Sequence, residues 1–247
     1  MWELASVLRG QGQYGAAEPL YREALKRSQR IHGREHRSTL AALGNLGQLL
    51  REHDRLSEAA PLLREALESK RRVFGPAHEH TLDSSVDYGH LLLDQRKYPA
   101  AEREFRGSLA IARATLEGDH RTTLLLVSGL ASSLRDQGKL AEAQPLYLDD
   151  LTVSRRSLGN THPDTLSAIN NYALLLQDRG RLDDAEALLR EVLETERRVH
   201  GSAHPDTLLT IANLARVLEK ARDALPRSAR RLHECPGGGK REHPLLH

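Results

Sequence analysis

The stretch His162-Pro163-Asp164-Thr165-Leu166 returns 42 residues later as His204-Pro205-Asp206-Thr207-Leu208. The same frame runs back along the chain through His36, His78 and His120, each followed three positions later by Thr39, Thr81 and Thr123 and then by Leu40, Leu82 and Leu124. Other columns keep the register. One reads Ala17, Ala59, Ala101, Ala143 and Ala185; a bulky one reads Tyr21, Leu63, Phe105, Tyr147 and Leu189; a third reads Leu25, Leu67, Leu109, Leu151 and Leu193. Self-similarity at a fixed step of this length marks units that bury their apolar faces only against their neighbours.

Each unit holds two helical segments. Helix A is expected from Thr165 to Asp178, where Leu166, Ile169, Tyr172, Ala173 and Leu176 recur at three- and four-residue steps. A short turn follows, as in Arg179-Gly180-Arg181 or Gln137-Gly138-Lys139, because glycine accepts the left-handed backbone that ends a helix. Helix B is expected from about Asp183 to His200. The alanine column lets A and B cross closely, and a larger residue there costs about 1 to 3 kcal/mol by overpacking. Pro19, Pro61 and Pro145 are placed in about the first turn of helix B, where a missing amide donor costs least. The connector to the next unit has the form Gly-x-x-His-x-x-Thr-Leu, with the glycine displaced to Gly118 before His120. Its proline and aspartate suit the first turn of a helix. Equivalent histidines lie one repeat apart, too far to share a metal ion, so they are expected to cap helix starts or to bond between repeats.

The pattern predicts an all-α solenoid of five helix pairs, an elongated right-handed superhelix without strands. The array is expected over 1–221: a truncated repeat at 1–38, then 39–80, 81–122, 123–164 and 165–206, and an unpaired helix at 207–221. The segment 222–247 carries Pro226, Pro236, Gly237 to Gly239 and Pro244 and is expected to be a disordered tail. Met1 to Gly10 matches only the latter part of a helix A, and the last helix A lacks its helix B, so the array is read as unfinished at both ends.

Bulk properties narrow the function. The 36 basic and 34 acidic residues are interspersed, for a formal charge of +2, so nothing calls for nucleic acid or an anionic membrane as partner. One cysteine, Cys235, closes no intrachain disulfide, and the first thirty residues hold no apolar run of signal length. A cytoplasmic location is expected. No cofactor or metal is expected either, and no catalytic constellation stands out.

The runs Asn170-Asn171-Tyr172-Ala173-Leu174-Leu175, Gly180-Arg181-Leu182-Asp183-Asp184-Ala185-Glu186 and His162-Pro163-Asp164-Thr165-Leu166 resemble the 42-residue tetratricopeptide repeats of kinesin light chains. Similar repeats occur in nephrocystin-type proteins and behind the nucleotide-binding domains of signalling ATPases. The resemblance implies a scaffold or adaptor in which stacked A helices line a concave groove for a peptide or partner segment. It implies groove positions at the second Asn of Asn-Asn-(Leu/Tyr)-Ala, a column that here reads Asn45, Asp87, Gly129, Asn171 and Asn213. Three residues further on, the same face carries Gln48, His90, Ser132, Leu174 and Arg216, a mixed rather than basic set. The peptide-binding candidates are therefore Asn45, Gln48, Asp87, His90, Asn171, Leu174, Asn213 and Arg216. Repeat three departs most, with Ser84, Ser85 and Asp87 in place of apolar residues or Asn. The competing reading is a sensor or regulatory segment of a signalling ATPase. Self-association through the uncapped end helices is a further expectation.

Other signals have plainer readings. Gly10, Gly12 and Gly15 match a dinucleotide fingerprint, but they follow a helical pattern, and Gly12 registers with Gly138 and Gly180 as an A-to-B turn. Glu52, Asp94, Asp136 and Asp178 form an acidic column at the end of helix A, and Arg55, Lys97, Lys139 and Arg181 follow each by three residues. Local neutralisation is expected there. Arg71, Arg113, Arg155 and Arg197 fall late in helix B, where a cation complements the helix dipole.

Overall fold

The computed structural model describes residues 2–224, and within them eleven α-helices follow one another without a strand. They are α1 (Trp2–Gly10), α2 (Tyr14–His32), α3 (Arg37–Glu52), α4 (Leu56–Phe74), α5 (Glu79–Asp94), α6 (Tyr98–Thr115), α7 (Arg121–Asp136), α8 (Leu140–Leu158), α9 (Pro163–Asp178), α10 (Leu182–Val199) and α11 (Pro205–Ala224). Odd-numbered helices are A helices and even-numbered ones B helices. Helix A begins two residues before the expected Thr165, because Pro163 takes the first helical position. The last A helix runs on to Ala224, past the expected limit at 221; the rest of the expected tail lies outside the described residues.

The chain divides into two compact units, residues 1–175 and 176–247, with the division inside α9. In the first, the alanine column is fully buried at Ala17, Ala59, Ala101 and Ala143, and Tyr21, Leu63, Phe105 and Tyr147 fill the space beside it. The small column on the A helices faces these bulky residues. A Cβ at Gly47 would lie 2.7 Å from Leu63 Cγ, and one at Gly89 or Gly129 would overlap the Phe105 ring from either side. Helix crossing is thus set by paired size, small on A against large on B. In the second unit, Ala185, Leu189 and Val192 of α10 are buried, as are Leu214 and Val217 of α11.

The connector histidines are N-caps. Nδ1 of His36, His78, His120, His162 and His204 accepts the backbone N–H two residues on, at 3.1 to 3.3 Å, which satisfies one orphan donor of each A helix. The threonine three residues later is buried and reaches the other way. Thr39 and Thr207 Oγ1 donate to the carbonyls of Gly33 and Gly201, and Thr165 Oγ1 to that of Ser154. His-x-x-Thr therefore joins the end of one helix B to the start of the next helix A. Imidazole rings at His32 and His200 stack on the capping His36 and His204, with centroids 4.5 and 4.7 Å apart.

Two local expectations are corrected. Pro19, Pro61 and Pro145 are each the sixth residue of their helices, in the second turn, and the chain accepts there the loss of one i→i−4 bond. Before His120 no glycine takes the left-handed position; α6 stops one residue early and Leu116 leaves in an extended conformation, φ −116°. The A-to-B turns need that left-handed residue. Gly12, Gly138 and Gly180 supply it, and Asp54 and Arg96 adopt it at φ 57° without being glycine.

Candidate binding site on the A helices

In the acidic column, Glu52 and Asp94 are paired with arginines of the preceding repeat rather than with the cations three residues on, and Asp136 pairs with its neighbour Arg135 at 2.9 Å. Arg9 forks onto Glu52 at 2.7 and 2.5 Å, and Arg51 reaches Asp94 at 2.9 Å. Arg55 instead bonds Glu58 and Glu18, Lys139 bonds Glu102, and Arg181 bonds Asp184. The reason is geometric: a residue at the end of one A helix lies beside its equivalent on the next, so a step of 43 joins them. Arg71 and Arg113 of the basic column also have carboxylate neighbours, Glu104 at 2.5 Å and Asp149 at 3.6 Å.

On the A-helix face of the first unit the predicted groove residues fall into two groups. The first lies on α3 and α5. Gln48 donates to the Asp87 carboxylate, and burial raises the Asp87 pKa against that bond and the nearby Lys70 and Arg51 charges. Lys70 Nζ donates to Ser84 Oγ at 2.7 Å and Ser85 Oγ donates to the Thr81 carbonyl at 3.3 Å, so both serines that made repeat three look deviant are buried and hydrogen-bonded. Burial lowers the Lys70 pKa, with Asp87 and Asp83 opposing. Asn45 and Gln48 are partly buried on the same face.

The second group surrounds a cavity of about 170 Å³ bounded by α5, α7, α8 and α9. His90 and Asn171, both predicted, line it. Burial, with the Arg51 charge, lowers the His90 pKa to about 4, so its ring is neutral at physiological pH, and it meets Phe105 edge to face at 5.6 Å. Asn171 Nδ2 donates to Ser128 Oγ at 3.2 Å. Ser128 in turn donates to the carboxylate of Asp150, as does Ser154 at 3.4 Å. Asp150 is 4 % exposed, and burial pushes its pKa up to about 7. Leu124, Leu125 and Ala168 provide apolar wall, and Arg121 pairs with Asp164 at 3.1 Å among the lining residues.

Asp150 escaped the sequence reading, although a signal was present. Its column reads Ala24, Ala66, Ser108, Asp150 and Val192, an inward position of helix B that is small or apolar in every other repeat. Gly129 also acquires a reason. It replaces the Asn of its column because the Phe105 ring occupies the space of a side chain. Leu174 is partly buried near the end of α9. In the second unit Asn213 is 4 % exposed and accepts a hydrogen bond from Arg216, so this asparagine is part of the packed interior as well as a member of the groove column.

Comparison with known proteins agrees with this geometry. The tetratricopeptide-repeat family model matches residues 1–72, 80–149, 122–195 and 164–234. The chain belongs to the tetratricopeptide-repeat family. Among solved structures it is similar to the nearly identical TPR-like repeats of a kinesin light chain of Podosopora anserina, at 22% identity and TM-score 0.65, over 80% of this chain and 93% of that one. It is similar to BtubC (BKLC) from P. vanneervenii at 19% identity and TM-score 0.65, over 96% and 97% of the two chains. A Rap protein complexed with competence and sporulation factor is similar at 18% identity and TM-score 0.55, over 89% of this chain and 62% of that one. No curated protein sequence matches the chain. No helix among the described residues is long and apolar enough to cross a membrane.

Proposed function

We propose that this protein is a protein-interaction scaffold whose A-helix face receives an extended segment of a partner. The observation that carries the reading is the cavity between α5, α7 and α9, where His90, Ser128 and Asn171 place polar side chains within apolar walls. A few oriented polar groups in a concave, mostly apolar surface suit recognition of a chain segment. Asn45, Gln48, Asp87 and Leu174 extend that surface along the first unit; in the second unit Arg216, bonded to the buried Asn213, is a candidate by itself. The Asn side chains can donate to and accept from a peptide backbone. The Rap protein, bound to a factor on a similar fold, lends the reading support by analogy.

The test is selection of binding peptides from a random display library, with affinities then measured for wild type and for Asn45→Ala/Asn171→Ala. Two net hydrogen bonds of about 0.5 to 1.5 kcal/mol each make the double variant roughly fivefold to 150-fold weaker. Arg71→Ala/Arg113→Ala, on helix B, serves as control and leaves affinity nearly unchanged. Binding lost in the arginine variant and kept in the asparagine variant would move the site to the B helices.

A further inference from the structure

The cavity beside Asn171 has an unusual floor. Asp150 is the one carboxylate in a helix B column otherwise built of Ala, Ser and Val, and it is 4 % exposed. Its described hydrogen bonds come from neutral hydroxyls, those of Ser128 and Ser154. The charges that act on it most strongly belong to Asp149 and Asp164, which repel it. At the cavity wall, Arg121 is held by Asp164 at 3.1 Å, and among the described residues no cation pairs with Asp150. A buried carboxylate supported only by neutral donors is costly, and a cation brought to it removes that cost.

The walls suit the stem of such a cation. Leu124, Leu125 and Ala168 are apolar, while the oxygens of Asp150, Ser128 and Ser154 gather at the floor. A volume of about 170 Å³ equals that of roughly five or six waters, the space of one extended side chain. Long basic side chains have this division, an alkyl stem that buries and a charged head that needs acceptors. We propose that this cavity is a specificity pocket for a lysine or arginine side chain of the bound partner segment, with its cation on Asp150 and its alkyl stem between Leu124, Leu125 and Ala168. The inference rests on the A-helix face being the binding surface. It adds the residue class that the partner must present there.

The pocket also predicts how binding depends on acidity. Empty, it holds the Asp150 carboxyl at about 7, and a bound cation keeps that carboxyl ionised. Its charged or titratable neighbours are His90 on α5, Arg121 on α7, Asp149 on α8 and Asp164 on α9. His90, at about 4, stays neutral across the window that matters. Binding at pH 6 therefore releases a proton from Asp150, and affinity falls as pH drops below 7.

The test uses the full chain with the probe peptide acetyl-Ser-Ala-Lys-Ala-Ser-amide, its Arg and norleucine counterparts, and n-butylammonium, followed by backbone amide NMR. The Lys or Arg peptide is expected to shift the amides of Ser128, Ser154 and Asn171. The norleucine peptide should bind about tenfold more weakly, and Asp150→Asn should weaken the basic peptide by a similar factor while helicity is unchanged. Calorimetry at pH 6 in buffers of different ionisation heat should show proton release in wild type and none in Asp150→Asn. Equal binding of norleucine and lysine peptides, or full affinity in Asp150→Asn, overturns the pocket and leaves the groove reading standing. Equal binding of n-butylammonium and the lysine peptide shows a free-amine site and overturns the role assigned to a partner side chain. No response to the basic peptides, beside library peptides that do bind the A-helix face, also rejects the pocket; no binding by either rejects the groove with it.

Discussion

The ring of Phe105 lies against Gly129 so closely that a β-carbon at position 129 would overlap Cε1 and Cζ. The phenylalanine is on α6 and the glycine on α7, so this contact joins one repeat to the next. Adding the alanine methyl, or the asparagine that other repeats carry there, should destabilise the protein by about 1 to 3 kcal/mol through overpacking. Phe105→Leu, which restores the residue found at Leu63 and Leu189, should recover most of that loss in the double variant. Urea titration of the two single variants and the double one measures the coupling, and strictly additive effects would contradict the contact.

The capping role of the connector histidines is separable from their bulk. His162→Ala removes the acceptor for the Asp164 N–H and should cost about 1 kcal/mol. His162→Asn supplies a good capping side chain and should cost little. Equal losses in the two variants, read from thermal melts, would assign the histidine a packing role instead.

Arg96 is exposed and holds φ 57°, where Gly12, Gly138 and Gly180 serve in other repeats. A side chain in this conformation costs about 1 to 2 kcal/mol, partly offset because glycine also loosens the unfolded chain. Arg96→Gly should therefore raise stability by roughly 0.5 to 1 kcal/mol. A lowered midpoint in urea would show that the arginine makes contacts worth more than its backbone strain.

Glu102 accepts hydrogen bonds from Lys139, Arg106 and Gln137, which draw its pKa down to about 2. Because the folded value lies below the ordinary one, the stabilisation is present above pH 4.5 and drains away as pH falls from there towards 2. The cations are largely exposed, so screening reduces the gain to about 1 kcal/mol. Glu102→Gln should lose that much at pH 7 and nothing near pH 2, a difference that paired melts at the two pH values resolve.

Asp150 has the opposite sign. Its raised value means that the protonated form suits the folded state, so stability is full below about pH 4 and declines as pH rises to 7. Asp150→Asn should be close to neutral at pH 4.5 and stabilising by roughly 2 kcal/mol at pH 8. Equal melting points for the two proteins at pH 8 would mean that the carboxylate is already paired.

Much of the architecture was written in recurrence. Period, helix order, the alanine and bulky columns and the placement of His and Thr between helices all follow from the register, because in a solenoid each position meets the same neighbours in every repeat. That logic fails where a repeat departs from its column. Gly129 looked like a missing asparagine and is the space for Phe105. Ser84 and Ser85 looked like departures from the repeat; Ser84 accepts from Lys70, and Ser85 donates to the Thr81 carbonyl of its own helix. The register also could not choose among nearby cations for Glu52 and Asp94, since sequence distance ranks Arg55 and Lys97 first while the stacking of A helices brings Arg9 and Arg51. Of the groove residues, the sequence by itself determined which positions share a face. Only the tertiary structure decided that Asn171 connects through Ser128 to a buried Asp150, because that link needs three helices to converge and the cost of burying a charge depends on everything packed around it.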